Sequence, residues 1–224
     1  ELRMSELKLA ISNIAWDKAD DEAVYAAMQQ NGFTGLEIAP TRIFPEYPYE
    51  NLTGAALFGG YLLNRWGFHV PSMQSIWYGQ TGNIFDPVQA EKLLDYTAEA
   101  FRLAPPHTAA EGDAFFAKAG ALASHYDVVL AIEANPPVYT NYLNNTADAF
   151  AMVKRLQSPG LAVNLDLSTM ISNGERLRDF VDDIKYVSHV HISEPGLEPI
   201  VPRQEHKELA MLLKAVGYSG DVSI

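Results

Sequence analysis

Three runs in the second half of the chain, DVVLAIE (127–133), LAVNLDL (161–167) and KYVSHVHI (185–192), decide how the rest is read. Each has strand length and β-branched content, and each is separated from the next by one helical pattern. Each also carries, at or near its end, a residue type that binds metals: Glu133, Asp166 and His191. Strands that alternate with helices pair in parallel, and in a (β/α) barrel all strand C-termini open on one mouth. Two carboxylates and an imidazole converging there suit one divalent metal ion: Mn, Mg, Co or Zn. Side chains alternate along a strand, so an inward Asp166 puts Asn164 one layer beneath it, and an inward His191 does the same for His189. Both are then expected to support the ligands from a second layer. Each residue also has a plainer reading. An acid that ends a strand can be the cap of the next helix, and a histidine can be a satisfied structural residue.

Working outward, the same alternation runs from end to end. LKLAISNIAW (7–16), FTGLEIA (33–39) and FHVPSMQSIW (68–77) read as strands, the last made irregular by Pro71. Helices are expected after Asp20, over Asn51 to Trp66, from the Asp86-Pro87 cap, and from a Thr108/Glu111 capping box. Further helices are expected from a Thr146 cap, over Gly174 to Asp183, and over a last stretch with Leu209, Leu212, Leu213 and Val216 on one face. Gly-aromatic-x-Gly recurs at Gly32 and Gly217, each time between a helix stop and a strand. Where a fourth strand belongs, between Leu103 and Thr108, only Ala104-Pro-Pro-His stands, and DVSI (221–224) reads as an eighth strand cut short. The expected fold is α/β: a (β/α)8 TIM barrel, one domain over 1–224, lacking strand 4 and the end of strand 8.

The 224 residues carry 16 basic and 28 acidic side chains, a net charge of −12. That sign opposes a nucleic-acid partner. The absence of cysteine excludes disulfides and thiolate metal sites and is compatible with a reducing cytosol. A cytoplasmic location is therefore expected. No run approaches a membrane span, and no membrane partner is expected.

The motifs GLEIAP, AIEANP, NLDLS, HVHISEP and GYSGDVSI resemble the xylose isomerase-like TIM-barrel superfamily, which holds sugar and sugar phosphate isomerases and epimerases and AP endonuclease 2-type enzymes. The resemblance covers nearly the whole chain. It implies one divalent metal held by Glu133, Asp166, His191 and a fourth ligand, a Glu, directly after Ile224. It also implies that Glu133 exchanges a substrate proton next to a metal-bound carbonyl. The partner implied is a small-molecule sugar or sugar derivative, and the family makes a homodimer the expected assembly. Three positions depart from the ketose epimerase pattern: Thr169 stands for a His, Tyr139 for an acidic residue and Leu197 for an Arg. The metal core is kept while the grip on the sugar differs.

Around the mouth, Trp16, His69, Trp77, Glu194 and Arg203 are the expected substrate contacts, with packing and solvated-charge roles as their alternatives. Glu37 in GLEIAP is read either as a buried hydrogen-bonding residue or as a direct participant. His107, His125 and His206 read as surface or core residues. The resulting function is a metal-dependent sugar isomerase or epimerase. The alternatives are a metal-dependent dehydratase of the inosose or dehydroshikimate type, and a non-catalytic barrel lacking its fourth ligand. An endonuclease reading fits poorly, because Thr169 replaces a histidine and the chain is acidic.

Overall fold

A computed structural model describes residues 7–82, 84, 86–103, 112–139 and 142–224. The Thr108/Glu111 capping box, His107 and the place of the fourth strand lie outside these.

Among the described residues, six parallel strands form one sheet: β1 (Lys8–Ser12), β2 (Gly35–Glu37), β3 (Leu130–Glu133), β4 (Leu161–Asp166), β5 (Val187–His191) and β6 (Asp221–Ser223). Their order is β2-β1-β6-β5-β4-β3. The stretch expected as strand three joins β2 only through single bridges, Gly35 to His69 and Ile38 to Met73. Pro71 lies between them and has no amide proton to give a ladder. The DVSI run is fully used. β6 pairs with β5 on one side and β1 on the other, and Ile224 extends it by donating to Ala10 O and accepting from Ser12 N. This is the α/β architecture of a TIM barrel, and the connections explain its parallel sense.

The helices are α1 (Asp21–Gln30), α2 (Pro40–Ile43), α3 (Leu52–Tyr61), α4 (Pro87–Leu103), α5 (Ala117–His125), α6 (Thr146–Leu156), α7 (Leu167–Asn173) and α8 (Gln204–Ala215). Asp86 caps α4 as expected, its Oδ1 accepting from Val88 N and Gln89 N. Two boundaries need correction. The cap of α6 is Asn145, one residue before Thr146, with Oδ1 accepting from Asp148 N at 2.8 Å. Gly174 does not open a helix. It closes α7 in the left-handed region at φ 66°, and 3₁₀ turns follow over Leu177–Tyr186. Glycine meets that backbone without a Cβ penalty.

Alternation sorts the strand residues. Leu36, Val163, Leu165, Val190 and Val222 are buried and belong to the apolar clusters packed with the helices. The opposite set, among them Ser12, Glu37, Asn164, His189 and Ser223, is buried and polar. A barrel interior filled this way needs hydrogen-bond partners for every group, because an unpaired polar atom there costs about 1–3 kcal/mol.

Candidate active site

Glu37 ends β2, 1 % exposed, and is the hub of the interior. Its Oε1 accepts from His191 Nε2 at 2.9 Å, Gln74 Nε2 at 3.1 Å and Ser223 Oγ at 3.3 Å. Its Oε2 accepts from His189 Nε2 at 2.8 Å and from Ser72 Oγ. Gln74 also donates to Ser12 Oγ. Burial by itself opposes the charged carboxylate, yet His191 and His189 hold Glu37 well below the usual carboxylate range.

His191 carries a carboxylate on each ring nitrogen. Nε2 meets Glu37, and Nδ1 meets Glu133 Oε1 at 2.6 Å. Burial disfavours the imidazolium, but Glu133 and Glu37 together raise its pKa well above the ordinary histidine value. Asn164 Nδ2 donates to the same Glu133 oxygen at 3.0 Å. Glu133 is the open end of this line, with its side chain 30 % exposed, whereas Glu37 is closed off. The result is a carboxylate–imidazole–carboxylate row running from the interior to the C-terminal end of β3.

Of the three expected ligands, Glu133 and His191 are brought together. Asp166 turns instead to its own helix. Its carboxylate accepts from Ser168 N and Oγ, Thr169 N and Oγ1, and Ser193 Oγ. Among the described residues, the donors gathered within 4.8 Å of one another are Glu37, His189 and His191. Two imidazoles and a carboxylate fit a divalent transition ion. Glu133 on the far nitrogen of His191 completes the carboxylate–histidine arrangement that orients metal-bound imidazoles. Asn164 Nδ2 lies against both Glu133 Oε1 and His191 Nδ1, and its buried Oδ1 has no partner among the described residues. His189 moves from supporting residue to candidate ligand.

The remaining contacts expected at the mouth are taken by other partners. His69 belongs to the opposite end of the barrel. It precedes Pro71, bridges to Gly35 at the start of β2, and binds Thr34 O and Asp221 Oδ1. Its expected role as a substrate contact is therefore corrected. Trp16 follows β1, but its indole N–H is held by Asp21, whose carboxylate also pairs with Arg42. Trp77 donates to Thr97 Oγ1 and packs edge-on to Phe115, which is the packing alternative. Glu194 and Arg203 bind each other, Arg203 Nε donating to both carboxylate oxygens and Nη2 to Oε2, and close the loop after β5. Glu37, which the sequence leaves open between a buried hydrogen-bonding role and a direct one, stands outside the ligand set expected from the sequence. The available signal was a single charge inside a short run that is otherwise apolar.

No family model matches this chain, and no curated protein does. Solved structures do. The apo 3-keto-D-glucoside 4-epimerase of E. coli superposes with a TM-score of 0.72 at 17% identity, over 97% of this chain and 91% of that one. The AP endonuclease, family 2, of Brucella melitensis gives 0.72 at 18%, over 97% and 92%. The D-psicose 3-epimerase of Clostridium cellulolyticum H10 with D-tagatose gives 0.71 at 17%, over 97% and 84%. A protein described as a xylose isomerase-like TIM barrel fusion aligns at a TM-score of 0.69. The chain has the TIM-barrel fold of these structures.

Proposed function

We propose that this protein is a divalent-metal-dependent isomerase or epimerase of a sugar or sugar derivative, with Glu133 as the proton-transferring base. The observation that carries the reading is the Glu133–His191–Glu37 row at the end of the barrel where the strand C-termini open. The epimerases among the structural neighbours support it. Glu37, His189 and His191 would hold the ion. When bound, a divalent cation supplies Lewis-acid polarisation of a carbonyl oxygen, which acidifies the neighbouring C–H.

The chain's own residues supply the rest. Asn164 and His191 fix Glu133 through Oε1, which sets the orientation of a partly exposed carboxylate. A carboxylate so held takes the proton from the carbon beside the carbonyl, and the C–H electron pair moves toward the carbonyl oxygen to give an enediolate. Proton return to the neighbouring carbon gives isomerisation. Delivery of a proton to the opposite face of the same carbon, by a donor other than Glu133, gives epimerisation. His191, with Glu37 behind it, keeps Glu133 in place and offsets its negative charge.

The test has two arms. Metal-depleted protein dialysed against Zn, Mn, Co and Mg is expected to retain about one equivalent of at least one ion. His189→Ala and Glu37→Gln should lose it. Deuterium uptake from D2O into the acidic C–H of a ketose panel is then followed by NMR. Glu133→Gln is expected to slow it roughly 10²–10⁴-fold. Retention of no ion by the wild type removes the metal from the reading, and undiminished exchange in Glu133→Gln removes Glu133 as the base.

A further inference from the structure

Helix α3 is built unlike the other helices on the outside of the barrel. α6 and α8 turn apolar residues inward and show charge to solvent, Lys154 and Arg155 on one, Lys207 and Glu208 on the other. α3 continues into a π turn over Leu62–Trp66, and from Asn51 to Asn64 the segment carries no charged residue. Phe58, Leu62 and Trp66 rest on the barrel and share an apolar cluster with Tyr25 and Phe68. No residue of α3 itself is buried, however. Leu57 is 71 % exposed, Leu63 60 % and Leu52 52 %. A helix that is apolar all round is ordinarily covered all round, and this chain covers one side of α3 only.

The uncovered side forms one continuous strip. Leu52, Ala56, Gly59 and Leu63 follow at intervals of four, three and four, the spacing of a helix-pair seam. A Cβ added to Gly59 would meet nothing within 4 Å, and one on Gly60 only Asn64 of the same helix at 4.0 Å. Glycine weakens a helix, and packing within this chain requires it at neither position. Leucines at the ends and small residues between them let a second helix backbone approach closely. The segment is also self-complementary. Outward from the bond between Leu57 and Phe58, Ala56 mirrors Gly59, Leu52 mirrors Leu63, Asn51 mirrors Asn64 and Glu50 mirrors Arg65. Glu50 and Arg65 are exposed and enter no ion pair among the described residues.

We propose that α3 is the contact face of a homodimer, in which the α3 helices of two copies pack antiparallel about a two-fold axis between Leu57 and Phe58. Such an isologous contact closes on itself. It sets Leu52 on the partner's Leu63, Ala56 on the partner's Gly59, and Glu50 opposite the partner's Arg65 at both ends. A lipid surface fits the same face less well, because interfacial helices carry Lys and Arg along the polar side and this segment has Arg65 alone at its end. α3 runs back from the mouth along the barrel, so the antiparallel pair points the two mouths in opposite directions and leaves both open. Dimerisation is therefore independent of metal and substrate.

Sedimentation equilibrium decides it. The chain is expected to show a monomer–dimer equilibrium with a dissociation constant on the order of 10 μM, since one helix pair lies at the small end of specific interfaces. Ala56→Glu brings like charges together at the centre and should weaken the dimer about 100-fold or more. Ala56 is exposed and glutamate is a good helix former, so the melting temperature of the monomer should be kept, as should metal retention. Glu50→Arg and Arg65→Glu should each weaken the dimer about fivefold, and the double variant should restore it. The chain has no cysteine, which gives the register a direct readout. Leu52→Cys mixed with Leu63→Cys should form disulfide-linked dimers on oxidation, faster than either variant alone. A wild type that stays monomeric well above the expected constant, or a dimer that Ala56→Glu leaves intact, would overturn the proposal. Faster linking of Leu52→Cys to itself would overturn the antiparallel pairing. A monomer that cosediments with phosphatidylcholine vesicles, and no longer does so as Ala56→Glu, would assign the face to a lipid surface instead.

Discussion

The barrel pairs histidines with carboxylates at both ends, once at the N-terminal end and in a cluster of three contacts at the C-terminal end, and the two are built differently. At the N-terminal end, His69 faces one carboxylate, Asp221, at 3.0 Å, and its second nitrogen lies 2.6 Å from Thr34 O. The pair plugs the end of the barrel next to Gly35, where even a Cβ would lie 3.0 Å from that of Ala10 and 3.3 Å from His69 Cε1. At the C-terminal end, Glu37 gathers five donors and shares His191 with a second, more open carboxylate. One contact closes a gap between strands. The other concentrates charge beyond what packing requires and leaves part of it facing the mouth. In barrels of this kind the N-terminal end serves stability and the C-terminal end serves chemistry, and here the hydrogen-bond inventories separate the two roles.

Removing the hub gives the largest effect. Glu37→Ala strips the carboxylate partner from buried His189 and from His191, whose side chain is 16 % exposed, and breaking a buried pair costs about 3–5 kcal/mol. A fall in Tm of roughly 10 °C is expected, read by thermal denaturation followed by circular dichroism. A loss of only one or two degrees would remove the distinction between the ends.

The pH profile of metal-free protein sharpens the same point. Glu37 is held low, so its contribution is full above the ordinary carboxylate value near about 4.3 and fades as pH falls through its depressed folded value. His191 is held high, so its contribution is full below the ordinary value near about 6.5 and fades as pH rises through its raised folded value. Tm in chelator is therefore expected to peak in the mildly acidic range. Glu37→Gln should flatten that peak, and an unchanged profile would contradict the linkage.

At the opposite end, Gly35→Val forces side-chain atoms against Ala10, Pro71 and His69, and overpacking of this kind costs about 1–3 kcal/mol. Its Tm should fall by several degrees while metal retention is kept. Loss of the metal would show that the two ends are coupled. His69→Ala is expected to do least. The histidine side chain is 43 % exposed, and pairs of that kind contribute below about 1 kcal/mol. Deuterium exchange into the ketose panel should remain within about twofold of wild type, and a collapse of exchange would return His69 to the site.

The sequence by itself determined the alternating strands and helices, their parallel sense, and the convergence of Glu133 and His191 with Asn164 behind them. Period-two burial, β-branched runs and helix-end signals are local properties, and parallel connectivity carries local elements to one mouth. The cap of α4 at Asp86 was legible for the same reason. Tertiary structure decided which polar partners meet. Asp166 carries both the signature of a metal ligand and that of a helix cap, and only the positions of Ser168, Thr169 and Ser193 show that its oxygens are engaged by the cap. Glu37 lies 154 positions from His191, so no spacing rule connects them; the strand order β2-β1-β6-β5, which curves both strand ends into one interior, does. His69 read as a mouth residue because an irregular strand gives no register, and the register, set by Gly35, places it at the other end. Local pattern fixes where side chains point along each element, but hydrogen-bond partners distant in sequence are chosen only when the barrel brings its strands side by side.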